Sequence, residues 1–474
     1  MKNMLRQFRS ILWALAIVGI ASRASAFSLL GPVDAAYQTA AIGYNPINTD
    51  IGGPMSLGEE YRWNLKVIYY GFDPSFVNYF GKKGMDEVNK AIAILNALPP
   101  MSALSSNLAE YPTDTRRVNS TASALGLWDL KSIALAFLLE EMGLASPERY
   151  VWTLRDRRTI NNVIFYLVIM RNFDPATLSP SPYVNDELYT YSITDPITLV
   201  GGQTFADAVE RPIDPVDFGF RAVVSAADGF WGGQLLPGEF FTGLTRDDVG
   251  ALRYIYTGKN TKRQFFANYN TENLISTAIT NGVFSSGGAW TPAGTGTPVS
   301  LALRAGVDKI VFKQLQYPST FGTFIPITNN FKDSYINAQN RSINQSMQRA
   351  INFPDIVFAA GDLGVDAGGN PLSVSRTTGF INNAAINTTP GGGGTPTAGP
   401  GQIEPTAASP VFITFSKLGP AFQNASSSFL DQSGGLLDAP IWGSYDGTTN
   451  PPTIYPNGSS IQDLVQQVFG GGSN

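Results

Sequence analysis

Two adjacent carboxylates, Glu140 and Glu141, lie in the apolar segment AFLLEEMGLAS and are the first candidates for acid–base chemistry. Carboxylates act as general acids, general bases or nucleophiles when their surroundings tune the pKa. Adjacent residues of a helix point about 100° apart, so this pair does not share one face, and we expect a solvated helix edge. Glycoside hydrolysis needs two carboxylates about 5 Å or about 6.5–9.5 Å apart, and the sequence singles out no such pair.

A second group of oxygen donors, Asp362, Asp366 and Asn370, surrounds the glycine turn of GDLGVDAGGNP. Carboxylate and amide oxygens are calcium ligands, which makes this segment a calcium candidate. Its spacing does not follow the EF-hand pattern, and Asp, Asn and Gly are also the residues that turns use. We therefore favour a turn and keep calcium as the alternative.

The chain contains no histidine and no cysteine. Without imidazole there is no Ser-His-Asp triad, no Cys-His pair and no ordinary His-ligated zinc site. Without thiols there are no disulfides and no thiolate metal sites. Any catalysis would have to use carboxylates, Lys, Tyr, Ser or Thr.

The acidic pair needs a helix to position it, and the surrounding residues predict one. An apolar stripe of helical spacing runs through the segment, with Asp129 near its start and Gly143 as the terminating residue. Upstream, residues 61–72 have the composition of a strand, and residues 84–98 that of an amphipathic helix. Downstream, residues 244–258 (LTRDDVGALRYIYTG) predict another helix with Thr245 as its N-cap.

These elements follow an order that resembles the matrixin group of metzincin zinc proteases, over about residues 60–258. That family opens with a strand and a long helix, carries H-E-x-x-H-x-x-G-x-x-H on its second helix, and ends in a helix of the type L-[ST]-x-[DE]-D-x-x-[AG]-[LI]-x-x-L-Y-G. The residues that follow this last pattern are Leu244, Thr245, Asp247, Asp248, Ala251, Leu252, Tyr256 and Gly258, except that one residue separates Tyr256 from Gly258. The resemblance implies an α+β fold, with a zincin-like mixed sheet packed on long helices.

The positions that do chemistry in that family are changed here. The two outer histidines fall on Ala136 and Ser146, the general-base glutamate on Phe137 and the central histidine on Glu140, while the glycine is kept as Gly143. One carboxylate and one hydroxyl leave zinc short of three firm ligands. The resemblance therefore predicts an inactive homologue, a pseudoprotease with no catalytic residue, no zinc and no cofactor other than the calcium alternative.

The N-terminus predicts export. Basic residues precede a short apolar run, and an A-x-A site ends at Ala26, which together are typical of a signal peptide over residues 1–26. Its removal takes away four basic residues and moves the formal net charge from −5 to −9. We expect a secreted or extracytoplasmic protein, in the periplasm or at the cell surface. It would have no transmembrane segment after signal removal, and no nucleic acid as a partner.

The remaining segments predict the domain organisation. Residues 27–59 read as an irregular lead-in, residues 60–258 as the zincin-like α+β domain, and residues 259–474 as a β-rich domain with a Gly/Pro/Thr-rich loop at 388–401. The run VIFYLVIM, residues 163–170, predicts a buried strand or helix. We expect a loop-rich segment over 172–243 and a helical insert over 336–351. For RDRR at 155–158 we expect a solvated surface, with an acidic partner as the alternative.

Two functions from different classes remain open. The first is an exported, non-catalytic protein that acts in binding, surface attachment or extracellular structure, with an extended peptide or a surface polymer as partner. A zincin cleft holds peptide by strand addition at a sheet edge, and that recognition survives loss of the metal. The second is a secreted peptidase or glycosidase that uses carboxylates in place of His-ligated zinc.

Overall fold

The computed structural model describes the chain in separate ranges. They are residues 26–31, 38–39, 54–57, 61–63, 65–198, 204–214, 222–227, 235–257, 290–292, 307–317, 322–336, 342–363, 372–381, 401–405, 410–417, 441–456 and 459–460. Residues 1–25, residues 388–400 of the Gly/Pro/Thr-rich loop, Asp366 and Asn370 lie outside these ranges. The predictions made for them stay predictions.

The helices all lie before residue 258 in the described chain. They are α1 Pro74–Ala97, α2 Ser120–Ala124, α3 Leu130–Glu141, α4 Pro147–Tyr150 and α5 Arg246–Tyr256, with 3-10 turns at Met101–Ala103 and Val224–Ala227. None of these described helices is long and apolar enough to cross a membrane.

The strands occur on both sides of residue 258. In chain order they are β1 Ser28–Leu29, β2 Gln38–Thr39, β3 Tyr61–Arg62, β4 Val67–Phe72, β5 Arg116–Val118, β6 Leu127–Asp129, β7 Leu144–Ala145, β8 Thr153–Ile160, β9 Val163–Ile169, β10 Tyr183–Val184, β11 Glu187–Thr198, β12 Thr204–Pro212, β13 Glu239–Phe241, β14 Trp290–Pro292, β15 Val311–Gln314, β16 Ile327–Ile336, β17 Ser342–Ile351, β18 Ile356–Gly361, β19 Val374–Arg376, β20 Thr378–Ile381, β21 Gly401–Pro405, β22 Val411–Ser416, β23 Ile441–Ser444, β24 Thr453–Ile454 and β25 Ser459–Ser460.

A five-stranded mixed sheet forms the centre of the fold, in the order β15-β4-β18-β22-β19. The first four strands are parallel and β19 is antiparallel. Helix α1 packs on this sheet and against α3. The described helices and strands form a mixed α/β structure, which fits the predicted general α+β class.

An aromatic cluster fills the space between α1 and the sheet. The ring centroids of Phe76 and Phe80 lie 4.6 Å apart, and Phe80 contacts Phe415 at 5.9 Å. Phe415 meets Trp442 edge-on at 5.4 Å. Buried aromatic side chains contribute most of the burial energy of a core, about 1.5–3 kcal/mol each, so this cluster ties the first third of the chain to its last quarter.

The predicted boundary near residue 260 does not divide this core. Strand β4 lies between β15 and β18, both of which follow residue 306. One hydrophobic core runs from Phe27 to Tyr455 and includes residues from both predicted domains. A unit limited to residues 60–258 would keep β4 as its sole strand in the central sheet, so the sheet has to be built from both halves.

The N-terminal elements differ in detail from the prediction. The expected strand over 61–72 is two strands in different sheets, since β3 pairs with β21 whereas β4 joins the central sheet. Helix α1 begins ten residues before the predicted start, where the Asp73 carboxylate accepts the Phe76 N–H at 3.0 Å. Residues 28–29 of the expected irregular lead-in form β1 and pair with β7.

Helix α3 begins and ends as predicted. Asp129 is its N-cap, with Oδ2 accepting the Ser132 N–H at 2.9 Å. Gly143 follows the C-cap with φ +97°, and a Cβ there would lie 2.3 Å from the Tyr61 carbonyl oxygen. Only glycine fits this combination of a left-handed backbone and a close neighbour.

Three pairs of antiparallel strands differ from what the sequence predicts. The run at residues 163–170 is strand β9, but its first five residues are exposed, so the predicted burial is wrong. Strands β11 and β12 form a long hairpin inside the region predicted to be loops. The helix predicted over 336–351 is wrong for the described residues 342–351, because they form β17, which pairs over its whole length with β16. The Gln, Arg, Met and Ala content of that segment favours a helix locally, and the cross-strand pairing overrides it.

Candidate functional site

Every residue of the helix that carries the degenerate pattern is buried except Lys131. Ala136 is fully buried and Phe137 nearly so, within the main core. Helix α3 packs against α1 on one side and against the turn Val224–Ala227 on another. The positions that correspond to the first ligand and the general base are thus occupied by core side chains.

Glu140 is not on a solvated edge, contrary to the prediction. Its Oε2 lies 2.8 Å from Nε of Arg376, and both side chains are largely shielded from solvent. Arg376 ends strand β19, which forms the antiparallel edge of the central sheet. The ion pair therefore fixes the C-terminal half of α3 to that edge.

Glu141 is fully buried, which also corrects the prediction of a solvated edge. Its Oε1 accepts a hydrogen bond from Thr378 Oγ1, while its Oε2 has no hydrogen-bond partner within the described part of the chain. Burial raises the pKa of Glu141, and the nearby Arg376 guanidinium and the Thr378 hydroxyl oppose that rise. The carboxyl is shielded from any substrate in this structure and holds β20 against the helix.

Ser146, at the position of the third ligand, is part of a buried hydroxyl–carboxylate chain. Its Oγ accepts the Arg149 N–H at 3.2 Å and donates to Ser225 Oγ at 3.1 Å. Ser225 Oγ donates in turn to Oε2 of Glu148. A serine bonded to a base resembles an activated nucleophile, but Ser225 has no exposed surface. The chain of contacts caps α4 and anchors the turn that contains Ser225.

A second buried carboxylate holds the same turn. Asp248 accepts the Val223 and Val224 N–H groups, each at 3.1 Å, and forms a capping box with Thr245 at the start of α5. Burial raises the pKa of Asp248, against the lowering effect of these four hydrogen bonds. The predicted N-cap at Thr245 is confirmed, and the cap also positions the turn against α3.

A buried ion network lies next to this turn. Arg149 Nη2 is 2.5 Å from Oδ2 of Asp207, and its Nη1 is 3.0 Å from Oε1 of Glu210. The network joins α4 to strand β12 with little solvent contact. Sequence reasoning missed it, because the partners lie about 60 positions apart along the chain and the segment around Asp207 was predicted to be a loop.

Asp129, the N-cap of α3, is a further buried carboxyl group with a raised pKa. It is fully buried, and its Oδ2 accepts both the backbone N–H and the hydroxyl of Ser132. Burial raises the pKa of Asp129 to about 6, although Lys131 and Ser132 lower it. The group caps a helix and has no exposed surface, so its perturbed pKa reports burial rather than access to a substrate.

The calcium candidate is only partly placed by the structure. Asp362 is exposed, and its carboxylate lies 4.0 Å from Nζ of Lys417. In the part of the chain that the structure describes, no three acidic side chains are grouped as metal ligands.

The RDRR segment is only partly solvated. Within it, Arg157 is partly exposed and binds Asp195 through Nε at 2.6 Å.

The arrangement around α3 consists of buried carboxylates, each with an arginine, hydroxyl or backbone N–H partner. Such groups stabilise the contacts between elements, since a buried charge has to be paired or hydrogen-bonded. No protein-family model matches the chain, and no curated protein or solved structure shows significant similarity to it.

Proposed function

We propose that the protein is exported and acts without catalysis, in binding, surface attachment or extracellular structure, on a metalloprotease-like scaffold. One observation carries the proposal: each position that corresponds to the zinc site has a packing or capping role. Ala136 and Phe137 are in the core, Glu140 pairs with Arg376, and Ser146 caps α4. These side chains are used for folding, which is what an inactive scaffold requires.

The arrangement of the helices supports the scaffold part of the proposal. A strand, a long helix, the helix with the degenerate pattern and the closing helix follow one another as β4, α1, α3 and α5. The closing helix is tied to the end of the pattern, because the Tyr256 hydroxyl donates to the Met142 carbonyl at 2.9 Å. The strands that complete the sheet come later in the chain, so the proposed likeness concerns the order of these four elements.

The proposed partner is an extended peptide or a surface polymer. Strand β19 is an edge strand of the central sheet, and Arg376 at its end binds Glu140 of the degenerate pattern. A peptide added to this edge by strand pairing would run past the C-terminal end of α3. The acidic net charge disfavours nucleic acid as a partner.

The carboxylate-based hydrolase stays the second hypothesis. A general acid needs both a raised pKa and access to its substrate. Asp129, Glu141 and Asp248 have a raised pKa, but all three are fully buried. Because these three carboxyl groups are shielded from substrate, the structure favours binding over hydrolysis as the function.

The test is to incubate the purified full chain with a library of extended decapeptides and with cellulose and chitin, and to measure retention and turnover together. We expect retention of one ligand class without turnover. Turnover that is lost in Glu140→Gln but kept in Asp86→Asn would contradict the proposal. Asp86 is a suitable control because it is a partly exposed acid whose ion pair with Lys82 lies on the helix surface.

A further inference from the structure

Strand β9 presents a continuous apolar surface. The side chains of Val163 and Phe165 are 54% and 53% exposed, and those of Ile164, Tyr166 and Leu167 are also exposed. Successive side chains of a strand point to opposite faces. Val163, Phe165 and Leu167 make one face of β9 apolar, and Ile164 lies on the other face beside Tyr166, whose hydroxyl donates to Oδ2 of Asp195. Single exposed apolar residues are ordinary, whereas a contiguous patch marks an interaction site.

The outer edge of β9 has no partner strand in the described part of the chain, because β8 and β9 form a two-stranded sheet. The two-residue turn at Asn161 and Asn162, both with positive φ, closes the hairpin at Ile160 and Val163. In such a hairpin the pairs alternate, so Ile164 and Tyr166 direct their backbone N–H and C=O groups away from β8. Residues 163–169 contain no Pro, Gly or charge, which are the usual means of protecting an edge.

Charge decides which edge of the hairpin can meet an identical hairpin. Strand β8 contains Arg155, Arg157 and Arg158, whereas β9 contains no charged residue. Two β8 strands side by side would bring arginines together, and like charges in opposite positions destabilise a sheet. Two β9 strands meet without that repulsion, and each satisfies the free backbone groups of the other.

We propose that β9 is a self-association site, at which two copies of this chain pair antiparallel through their β9 strands. The two-fold axis passes through Phe165, so that Ile164 of each copy hydrogen-bonds with Tyr166 of the other. This register uses the exposed run from Val163 to Leu167, and stops before residues 168–169, which are half-buried at the base of the hairpin. The inference does not depend on the proposed function.

The size of the surface is that of a weak dimer. Aromatic side chains bury about 150–250 Å² each and aliphatic ones less, so the five about half-exposed side chains of residues 163–167 offer on the order of 400 Å² per copy. Two copies then bring roughly 800 Å² together, which is in the range of weak, transient interfaces. We therefore expect a reversible, concentration-dependent dimer.

Sedimentation velocity of the full chain over a range of concentrations tests the proposal. We expect a monomer–dimer equilibrium, and in Phe165→Lys a dissociation constant raised roughly tenfold or more, since two lysines would face each other at the axis. Val118→Lys is the matched control, because Val118 is 60% exposed on strand β5. Thermal unfolding of each variant checks that the fold is kept.

Single cysteines test the register, because the natural chain has none. Opposite residues of a non-hydrogen-bonded antiparallel pair have Cα atoms about 4.5 Å apart, within disulfide range. Phe165→Cys is therefore expected to form a covalent dimer on oxidation with diamide. Val163→Cys, with equal exposure, would place the two sulfur-bearing residues about 13 Å apart, beyond the reach of a disulfide.

Three results would overturn the proposal. The first is a monomer at every concentration, and the second is equal cross-linking of the two cysteine variants. The third is a monomer that co-floats with vesicles of phosphatidylcholine and phosphatidylglycerol through Phe165, which would assign the apolar strand to a lipid surface instead of a second copy.

Discussion

At the residue scale, the carboxyl groups near α3 are explained by burial and partners. Glu140 balances Arg376, Glu148 and Asp248 bind backbone N–H groups of one turn, and Asp129 caps the helix. Burial disfavours the charged form of a carboxyl group, while hydrogen bonds and cations favour it. Desolvation prevails at Asp129, where the pKa rises to about 6.

The raised pKa of Asp129 predicts a pH dependence of stability. The folded chain holds a proton on Asp129 between about pH 4 and pH 6 that the unfolded chain has released. The free energy of unfolding therefore falls as the pH rises through this window, by up to about 3 kcal/mol from this group. In Asp129→Asn we expect a flatter profile between pH 4 and pH 6, measured by urea unfolding at each pH.

The control for this measurement is Asp86→Asn, which changes a partly exposed acid in an i,i+4 pair with Lys82. Its free energy of unfolding should change with pH in parallel with that of the natural chain, since a partly exposed ion pair contributes little to stability. If Asp129→Asn follows the same slope as the natural chain, desolvation of Asp129 is not the cause of the dependence.

At the element scale, the ends of α3 were predictable, whereas its surroundings were not. Asp129 and Gly143 are local signals, because capping and a left-handed backbone depend on residues within one turn. The burial of Glu140 and Glu141 depends on residues 376 and 378, more than 230 positions away. The apolar run at residues 163–170 predicts a buried strand or helix, and periodicity shows neither that it is a strand nor that its side chains stay exposed.

The end of α3 yields a prediction for Gly143→Ala. A Cβ at this position combines a positive φ with a 2.3 Å approach to the Tyr61 carbonyl. We expect a loss of about 3 kcal/mol in the free energy of unfolding, from backbone strain and displacement of β3 together. Gly126→Ala has φ +67° and no neighbour within 4 Å, so it should lose about 1 kcal/mol. Equal losses would show that the approach to Tyr61 does not matter.

At the scale of the whole molecule, the largest hydrophobic core in the described part of the chain is assembled from distant segments. The composition of the sequence changes near residue 260, and every helix or strand described after that residue is a strand. That part of the prediction, a β-rich second half, agrees with the structure. The parallel pairing of β4 with β15 and β18 spans more than 240 residues, and no local pattern encodes such a contact.

Because this core contains residues of both halves of the chain, we expect a substitution in the second half to destabilise the first half. Phe415→Ala removes a buried ring that contacts Phe76 and Phe80 of helix α1. We expect a loss of about 3–5 kcal/mol, with hydrogen exchange in residues 74–97 accelerated as much as in β22. Phe353→Ala, at a half-exposed ring, should change neither. Unchanged exchange in residues 74–97 of Phe415→Ala would indicate two independently folding units.

We propose that the degenerate pattern on α3 serves packing and not metal binding. The most direct measurement is the metal content of the full chain by elemental analysis, after purification without chelators, for the natural chain and for Glu140→Gln. We expect zinc far below one atom per chain in both proteins. We also expect a lower free energy of unfolding in Glu140→Gln, because Arg376 loses its ion-pair partner. One zinc atom per natural chain, lost in Glu140→Gln, would contradict it.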